Sequence, residues 1–148
     1  YERQRRIGGI RGGAGPAILN GRYVDDNFTY NTPINDVSAT ATAAATSRTL
    51  TVPPNMIALF RAACLGNVSI NGANAIVFSE LNAADTAPTA TNGFKSIGSG
   101  DFAIQGAGHF ALRVNASSQI RDRAITATGA MAYDISTYGW VDTCGRFS

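Results

Sequence analysis

Apolar and polar residues alternate with a period of two along much of the chain, which is the pattern of β-strands. From Ser38 to Val52, Ser and Thr alternate first with Ala and then with larger aliphatic residues, which predicts one strand that ends at Pro53-Pro54. In residues 109–115 (HFALRVN), Phe and aliphatic side chains alternate with small or polar ones. Helical periodicity is almost absent. The chain is therefore predicted to be all-β.

The longest apolar run, MIALFRAACL at residues 56–65, predicts a buried central strand. Its length, the preceding Pro53-Pro54 and the following Gly66-Asn67 favour a strand over the alternative of a short helix.

Two further segments lie between this run and residue 109. Asn71-Gly72 predicts a tight hairpin that joins residues 68–70 to residues 76–78. Residues 80–101, rich in Ala, Thr, Asn, Gly and Pro, predict a long loop with one short strand at 94–97. A long loop in a compact domain is usually functional or docked on a partner.

The segment ISTYGWVD, residues 135–142, predicts a strand that closes the fold. Under strict alternation Tyr138 and Trp140 share one face of that strand. Two aromatic rings of this size either fill one end of the core or lie at a subunit interface.

The spacing of strands and turns defines the predicted architecture. Six to eight short strands, with turn signals about every ten residues, are typical of an antiparallel β-sandwich or barrel. The prediction is an antiparallel, jelly-roll-like β-sandwich over residues 37–148, preceded by an extended arm over residues 1–36. The arm is Gly-rich and basic, and could either dock on an acidic surface or form a solvated leader. Its basic side chains, the docking candidates, are Arg3, Arg5, Arg6 and Arg11.

The amino-acid composition indicates which classes of partner the chain is expected to have. Only 15% of the 148 residues are charged, against roughly 25% in an average soluble domain. Much of the surface must therefore be small and weakly polar, which favours burial against copies of the chain or inside an assembly. The net charge of +2 is not arranged in basic patches, so no specific nucleic-acid binding is predicted. The chain contains no run of eighteen apolar residues, so the sequence predicts no membrane-spanning helix.

Candidate catalytic and metal sites are sparse. The single His109 has no recognisable nucleophile motif near it, and a zinc site lacks ligands. Asp25-Asp26-Asn27 lacks the spacing of a calcium loop, and Asp122, between two arginines, is interpreted as a charge partner on a strand edge. Cys64 and Cys144 could form a disulfide or remain thiols. The chain is predicted to be non-enzymatic and to need no cofactor.

Two segments carry a resemblance to a known class of proteins. LRVNASSQIRDRA (residues 112–124) and the closing ISTYGWVDTCGR (residues 135–146) resemble the C-terminal β domains of small structural proteins in tailed bacteriophages. Those proteins include head decoration (cement) proteins and tail or head fibre modules, which are often trimeric. The position of Cys144 departs from the polar or basic residue expected there.

The resemblance implies a virion protein on the particle surface that associates with itself and with a major capsid or tail protein. Small residues would permit close approach of subunits, and the predicted interface candidates are Ala39, Ala41, Ala43, Tyr138 and Trp140. An alternative is a receptor- or glycan-binding module that uses the 82–100 loop and exposed aromatics such as Phe94 or Tyr138 to stack on sugars. A third hypothesis, a hydrolase on a β scaffold, would depend on His109.

Overall fold

A computed structural model describes residues 21–40, 42–65, 75–85, 94–95, 106–125 and 132–142. These residues form nine β-strands and contain no helix, hence none that could cross a membrane. The strands are β1 (Gly21–Val24), β2 (Asn27–Thr40), β3 (Thr46–Thr49), β4 (Ile57–Leu65), β5 (Ala75–Glu80), β6 (Phe94–Lys95), β7 (Gly106–Arg113), β8 (Gln119–Ile125) and β9 (Ala132–Val141).

The strands form two antiparallel sheets. One has five strands in the order β1-β2-β9-β4-β7, and the other has four in the order β3-β8-β5-β6. The all-β, antiparallel prediction is confirmed. The run at 56–65 is also confirmed as a central strand, since β4 pairs with β7 on one side and β9 on the other.

The pairing of strands is nested. β5 pairs with β6, β4 with β7, β3 with β8, and β2 with β9. Successive pairs alternate between the two sheets. Within each sheet the two pairs are joined, in one by the pairing of β4 with β9 and in the other by the pairing of β5 with β8. Strands distant in sequence are thereby brought together, as are the side chains on neighbouring strands.

The core lies between the facing sheets. The ring of Phe60 on β4 is 5.6 Å from that of Phe78 on β5, and Phe78 is 6.1 Å from Tyr133 on β9. The core also includes Phe28, Tyr30, Val37, Leu50, Val52, Ala58, Ala62, Ile76, Val114, Ile120, Ile135 and Trp140. The alternation predicted for residues 109–115 is confirmed, because Phe110 and Leu112 pack on this core and Val114 belongs to it.

The predicted boundary between an arm and a domain at residue 37 is wrong for residues 21–36. These residues form β1 and most of β2, and Phe28 is only 4% exposed. Alternation fails near Pro33, which reads as a strand breaker, so the sequence pattern conceals a strand that is irregularly paired with β9. Residues 1–20, with the four arginines of the predicted arm, lie outside the described residues.

The predicted single strand over residues 38–52 is also wrong. β2 ends at Thr40, residues 42–45 bend, and β3 begins in the other sheet at Thr46. A segment that passes from one sheet to the other cannot form a single strand, even though its residue types alternate along its whole length. The short strand predicted at 94–97 is present over Phe94–Lys95 as β6. Residues 96–97 and the first arm of the predicted hairpin, residues 68–70, lie outside the described residues.

Candidate functional site

The five-stranded sheet is irregular where β9 carries Tyr138. Along β4, the pairing passes from Leu59↔Gly139 directly to Phe60↔Thr137, so Tyr138 is an extra residue on β9. Such a bulge rotates the strand and changes which face its later side chains occupy.

β2 is irregular at the same point on the other side of β9. Its pairing passes from Thr29↔Gly139 to Ile34↔Thr137, which leaves residues 30–33 of β2 opposite Tyr138 alone. Two irregularities thus converge on one side chain. Bulges commonly redirect a side chain next to a functional site, so the surface around Tyr138 is a candidate for such a site.

The bulge separates two aromatic residues that strict alternation would place together. Trp140 is 1% exposed and its ring stacks on Phe28 at 4.0 Å, inside the core. Tyr138 is half-buried on the opposite, outer face of the sheet. Gly139 permits this arrangement, since a Cβ there would lie 2.0 Å from the carbonyl oxygen of Phe28.

On the outer face, Tyr138 reaches across a strand. Its ring centroid lies 5.7 Å from that of His109 on β7, with the planes at 70°. Because β4 lies between β9 and β7, the two side chains bridge over β4. Arg61, on β4, is opposite His109 on one side and Ser136 on the other. We call Tyr138, His109 and Arg61 the outer platform.

Arg61 differs from most of the arginines that the structure describes. It is exposed, and none of the hydrogen bonds or ion pairs among the described residues involves it. By contrast, four other arginines bond to main-chain oxygens or carboxylates: Arg48, Arg113, Arg121 and Arg123. The guanidinium of Arg61 is therefore available to a ligand.

A second polar cluster is buried between the sheets. Asp122 on β8 is 2% exposed and accepts a hydrogen bond from Arg48 Nε at 3.1 Å and another from the Tyr133 hydroxyl. Burial, and next the hydrogen bond to Asp122, raise the pKa of Tyr133 above its usual range. The prediction of Asp122 as a partner on a strand edge is wrong in location, because β8 is flanked by β3 and β5. This cluster is enclosed and serves the fold.

A third cluster fastens the irregular part of β2. Asp36 is the extra residue between the pairs Asn35↔Ser136 and Val37↔Ile135. Its carboxylate accepts hydrogen bonds from the Thr51 amide at 2.9 Å and from the hydroxyls of Thr51 and Thr137. The Tyr30 hydroxyl donates to the Thr51 carbonyl. These bonds hold the distorted segment of β2 beside β9, and so help to fix the position of Tyr138.

The predicted binding loop at 82–100 is described only in part. Arg121 donates hydrogen bonds to the carbonyls of Leu81 and Ala83, and Arg123 pairs with Asp85 at 3.2 Å. The beginning of the loop is therefore tied to β8. Residues 86–93 and 96–100 lie outside the described residues.

Most of the predicted interface residues do not lie together on a free surface. Trp140 is enclosed in the core, Ala39 packs against the core, and Ala43 lies in a bend where its carbonyl accepts a bond from Arg123. The prediction is wrong for Trp140, because it assumed an uninterrupted strand. Ala39 and Ala43 are separated by the end of β2 at Thr40 and stay predicted interface residues. Tyr138 alone of these described residues remains on an outer face.

The other predicted residues are less informative. Cys64 lies on β4, opposite Gly106 and Tyr133, whereas Ala41 and Cys144 lie outside the described residues. The disulfide therefore stays a prediction. Within the described ranges, no group of three or more His, Cys, Asp or Glu side chains could hold a metal ion.

Sequence reasoning missed Arg61 and the contact between Tyr138 and His109. Neither has a local signal, since the contact depends on the order β9-β4-β7. Comparison with models of protein families finds no match for the chain, and comparison with curated proteins finds none either.

Proposed function

We propose that the chain is a jelly-roll β-sandwich and that it serves as a non-enzymatic structural protein of a tailed-bacteriophage virion. The nested strand pairing supports the jelly-roll assignment. A long hairpin whose two arms are β2–β5 and β6–β9, rolled so that successive pairs alternate between sheets, gives the observed orders β2-β9-β4-β7 and β3-β8-β5-β6. Jelly rolls occur in viral capsid and lectin domains.

The nested pairing is the observation that carries this proposal, and the sequence adds three supports. The segments LRVNASSQIRDRA and ISTYGWVDTCGR resemble phage structural proteins; the first runs from the end of β7 through a turn into β8, and the second begins within β9. The low fraction of charged residues favours a surface that an assembly covers. A basic segment precedes β1, which is the type of extension that orders on a partner.

In this proposal the protein decorates or cements the capsid. The folded domain associates with copies of itself, and Arg3, Arg5, Arg6 and Arg11 contact acidic groups of a major capsid or tail protein. The five-stranded sheet ends in β1 and β7, and edge strands can pair with another chain. Val24 on β1 is 55% exposed and is the one large apolar side chain that stands out among the described residues.

Two measurements test the structural role. Light scattering of the full chain, with and without reductant, should give the mass of an oligomer, and a trimer is expected. Purified particles should contain the chain in many copies, as measured by quantitative mass spectrometry. A monomer that is found only in the particle-free fraction of a lysate would contradict the proposal.

The arm has its own test within the full chain. Replacing the four arginines by Gln should weaken attachment to particles that have been stripped of the protein, while the oligomer mass stays the same. A matched control is Arg22→Gln, since Arg22 is an exposed arginine on β1. Equal attachment of the fourfold variant and the control would refute a docking role for the arm.

A second candidate function is a receptor- or glycan-binding module of a tail or head fibre. The outer platform favours it, because two aromatic rings lie beside an exposed guanidinium that has no partner among the described residues. Binding of a glycan in an array screen would support this function, and an array on which no glycan binds would count against it.

A further inference from the structure

We infer that the outer platform binds a sugar that carries a carboxylate, such as a uronic or sialic acid. The inference rests on the second proposed function and deepens it. It names the class of ligand and locates the site on the outer face of the five-stranded sheet. It does not depend on capsid decoration.

The aromatic pair supplies the surface on which a sugar ring can lie. Tyr138 and His109 meet edge to face over β4, which leaves the bridge they form directed away from the core. Aromatic side chains offer a flat apolar body and a polar tip. A pyranose has a matching combination, with an apolar face of C–H groups and hydroxyls at its rim.

The neighbouring residues leave space around this bridge. Ala107 and Ala111 flank His109 on the outer face of β7, and both are exposed. On the far side, the exposed residues 31–33 of β2 lie beside Tyr138. A shallow site with low walls on one side and a polar segment on the other suits one or two sugar units.

Arg61 determines the charge of the ligand. Its guanidinium has a planar set of donors that matches a carboxylate in a bidentate geometry, and no described carboxylate pairs with it. On β9, Asp134 lies two residues before Ser136, opposite Ala63. Its oxygens can accept hydrogen bonds from sugar hydroxyls. A carboxylate at Arg61 and hydroxyls toward Asp134 define an orientation for the sugar.

The platform fits a sugar better than a second copy of the chain. The centre of a protein interface is fully buried and more apolar than the surrounding surface. The one strongly exposed large apolar side chain in the described ranges is Val24, which lies on β1 rather than on the platform. Around Arg61, the exposed side chains are polar, charged or as small as Ala.

The test compares a charged and a neutral sugar that share a ring. The full chain is titrated with glucuronic acid and with glucose, and separately with N-acetylneuraminic acid, and binding is followed by NMR chemical-shift changes. At least one acid should bind about tenfold or more tightly than glucose, because a charge-assisted bond adds this much. The shifted signals should include those of Arg61, His109 and Tyr138.

Variants then locate the site. Arg61→Gln should abolish the preference for the acid, and Tyr138→Ala should weaken the binding of acid and glucose alike. Arg22→Gln makes the same charge change on β1, three strand spacings or about 14 Å from β4, and should leave binding unchanged. Thermal unfolding of each variant verifies that the fold is retained.

The outcomes separate this inference from the function on which it rests. If the acids bind but both platform variants bind as well as the parent, the glycan function stands and the platform is not its site. Equal affinity for glucose and both acids overturns the class of ligand. If no sugar binds in these titrations or on a glycan array, both the inference and the glycan-binding function are contradicted. An oligomer that Tyr138→Ala dissociates would assign the platform to a second copy and overturn the inference.

Discussion

The two faces of the five-stranded sheet use aromatic residues in opposite ways. On the inner face, Trp140 packs against three other rings, and the hydroxyls of Tyr30 and Tyr133 are bonded to groups within the protein. On the outer face, Tyr138 contacts one other ring among the described residues and lies near an arginine that has no described partner. Satisfied polar groups stabilise a fold, whereas unsatisfied exposed groups are available for recognition. Substitution of Trp140 should therefore reduce stability, whereas substitution of Tyr138, two positions away on β9, should reduce binding.

The largest loss of stability is expected for Trp140→Ala on the inner face. The substitution removes a fully buried ring that stacks on Phe28 and contacts Tyr30 edge to face, and such truncations cost about 3 to 5 kcal/mol. Urea unfolding measures the change, and Trp140→Phe, which keeps a ring, should lose less. A loss below about 1 kcal/mol for the alanine variant would show that the inner cluster does not hold the sheet.

Gly139→Ala tests the bulge that separates the two faces. The new Cβ would meet the Phe28 carbonyl oxygen at 2.0 Å, and main chain cannot easily move away, so we expect a loss of about 3 kcal/mol. Gly108→Ala is a matched control, because its Cβ would meet only the ring of Phe110 at 2.9 Å. Equal unfolding free energies for the two variants would refute the close approach of β2 to β9.

High pH should weaken the inner face. Burial, and next the charge of Asp36, raise the pKa of Tyr30, while burial and the bond to Asp122 raise that of Tyr133. The unfolded chain loses these protons near pH 10, before the folded chain does, so the unfolded state then binds fewer protons. The free energy of unfolding should fall above pH 10 by about 1.4 kcal/mol per pH unit for each tyrosine.

Urea unfolding at a series of pH values measures this slope. Replacement of both tyrosines by Phe should flatten it, although the double variant will be less stable at neutral pH because Asp122 and the Thr51 carbonyl lose donors. An unchanged slope in the double variant would mean that other groups produce the alkaline transition.

The contrast between the faces also explains which features could be predicted from the sequence. Alternation identified β4, β7 and β9, because each strand has one apolar face or is buried on both. Alternation failed at Trp140 because one extra residue in a strand moves every later side chain of that strand to the opposite face of the sheet. The nearest clue, Gly139 between two aromatics, is visible in the sequence, but its meaning depends on the backbone of β2. The platform was beyond reach, since Arg61, His109 and Tyr138 meet only when the order of the strands is known.

The smallest loss of stability is expected for Tyr138→Ala, the variant that separates the roles of the two faces most directly. The side chain is half-buried on the outer face and makes one ring contact, so its removal should cost less than about 1 kcal/mol in urea unfolding. Sugar binding should nevertheless be weakened strongly, whereas a Trp140 variant that remains folded should keep it. His109→Gln, which removes the partner ring but retains a polar group, should weaken binding to an intermediate extent. If Tyr138→Ala instead destabilises the chain as much as Trp140→Ala does, the outer ring is part of the structural core. The bulge would then serve to pack both faces of the sheet, and the separation of stability from recognition along β9 would not hold.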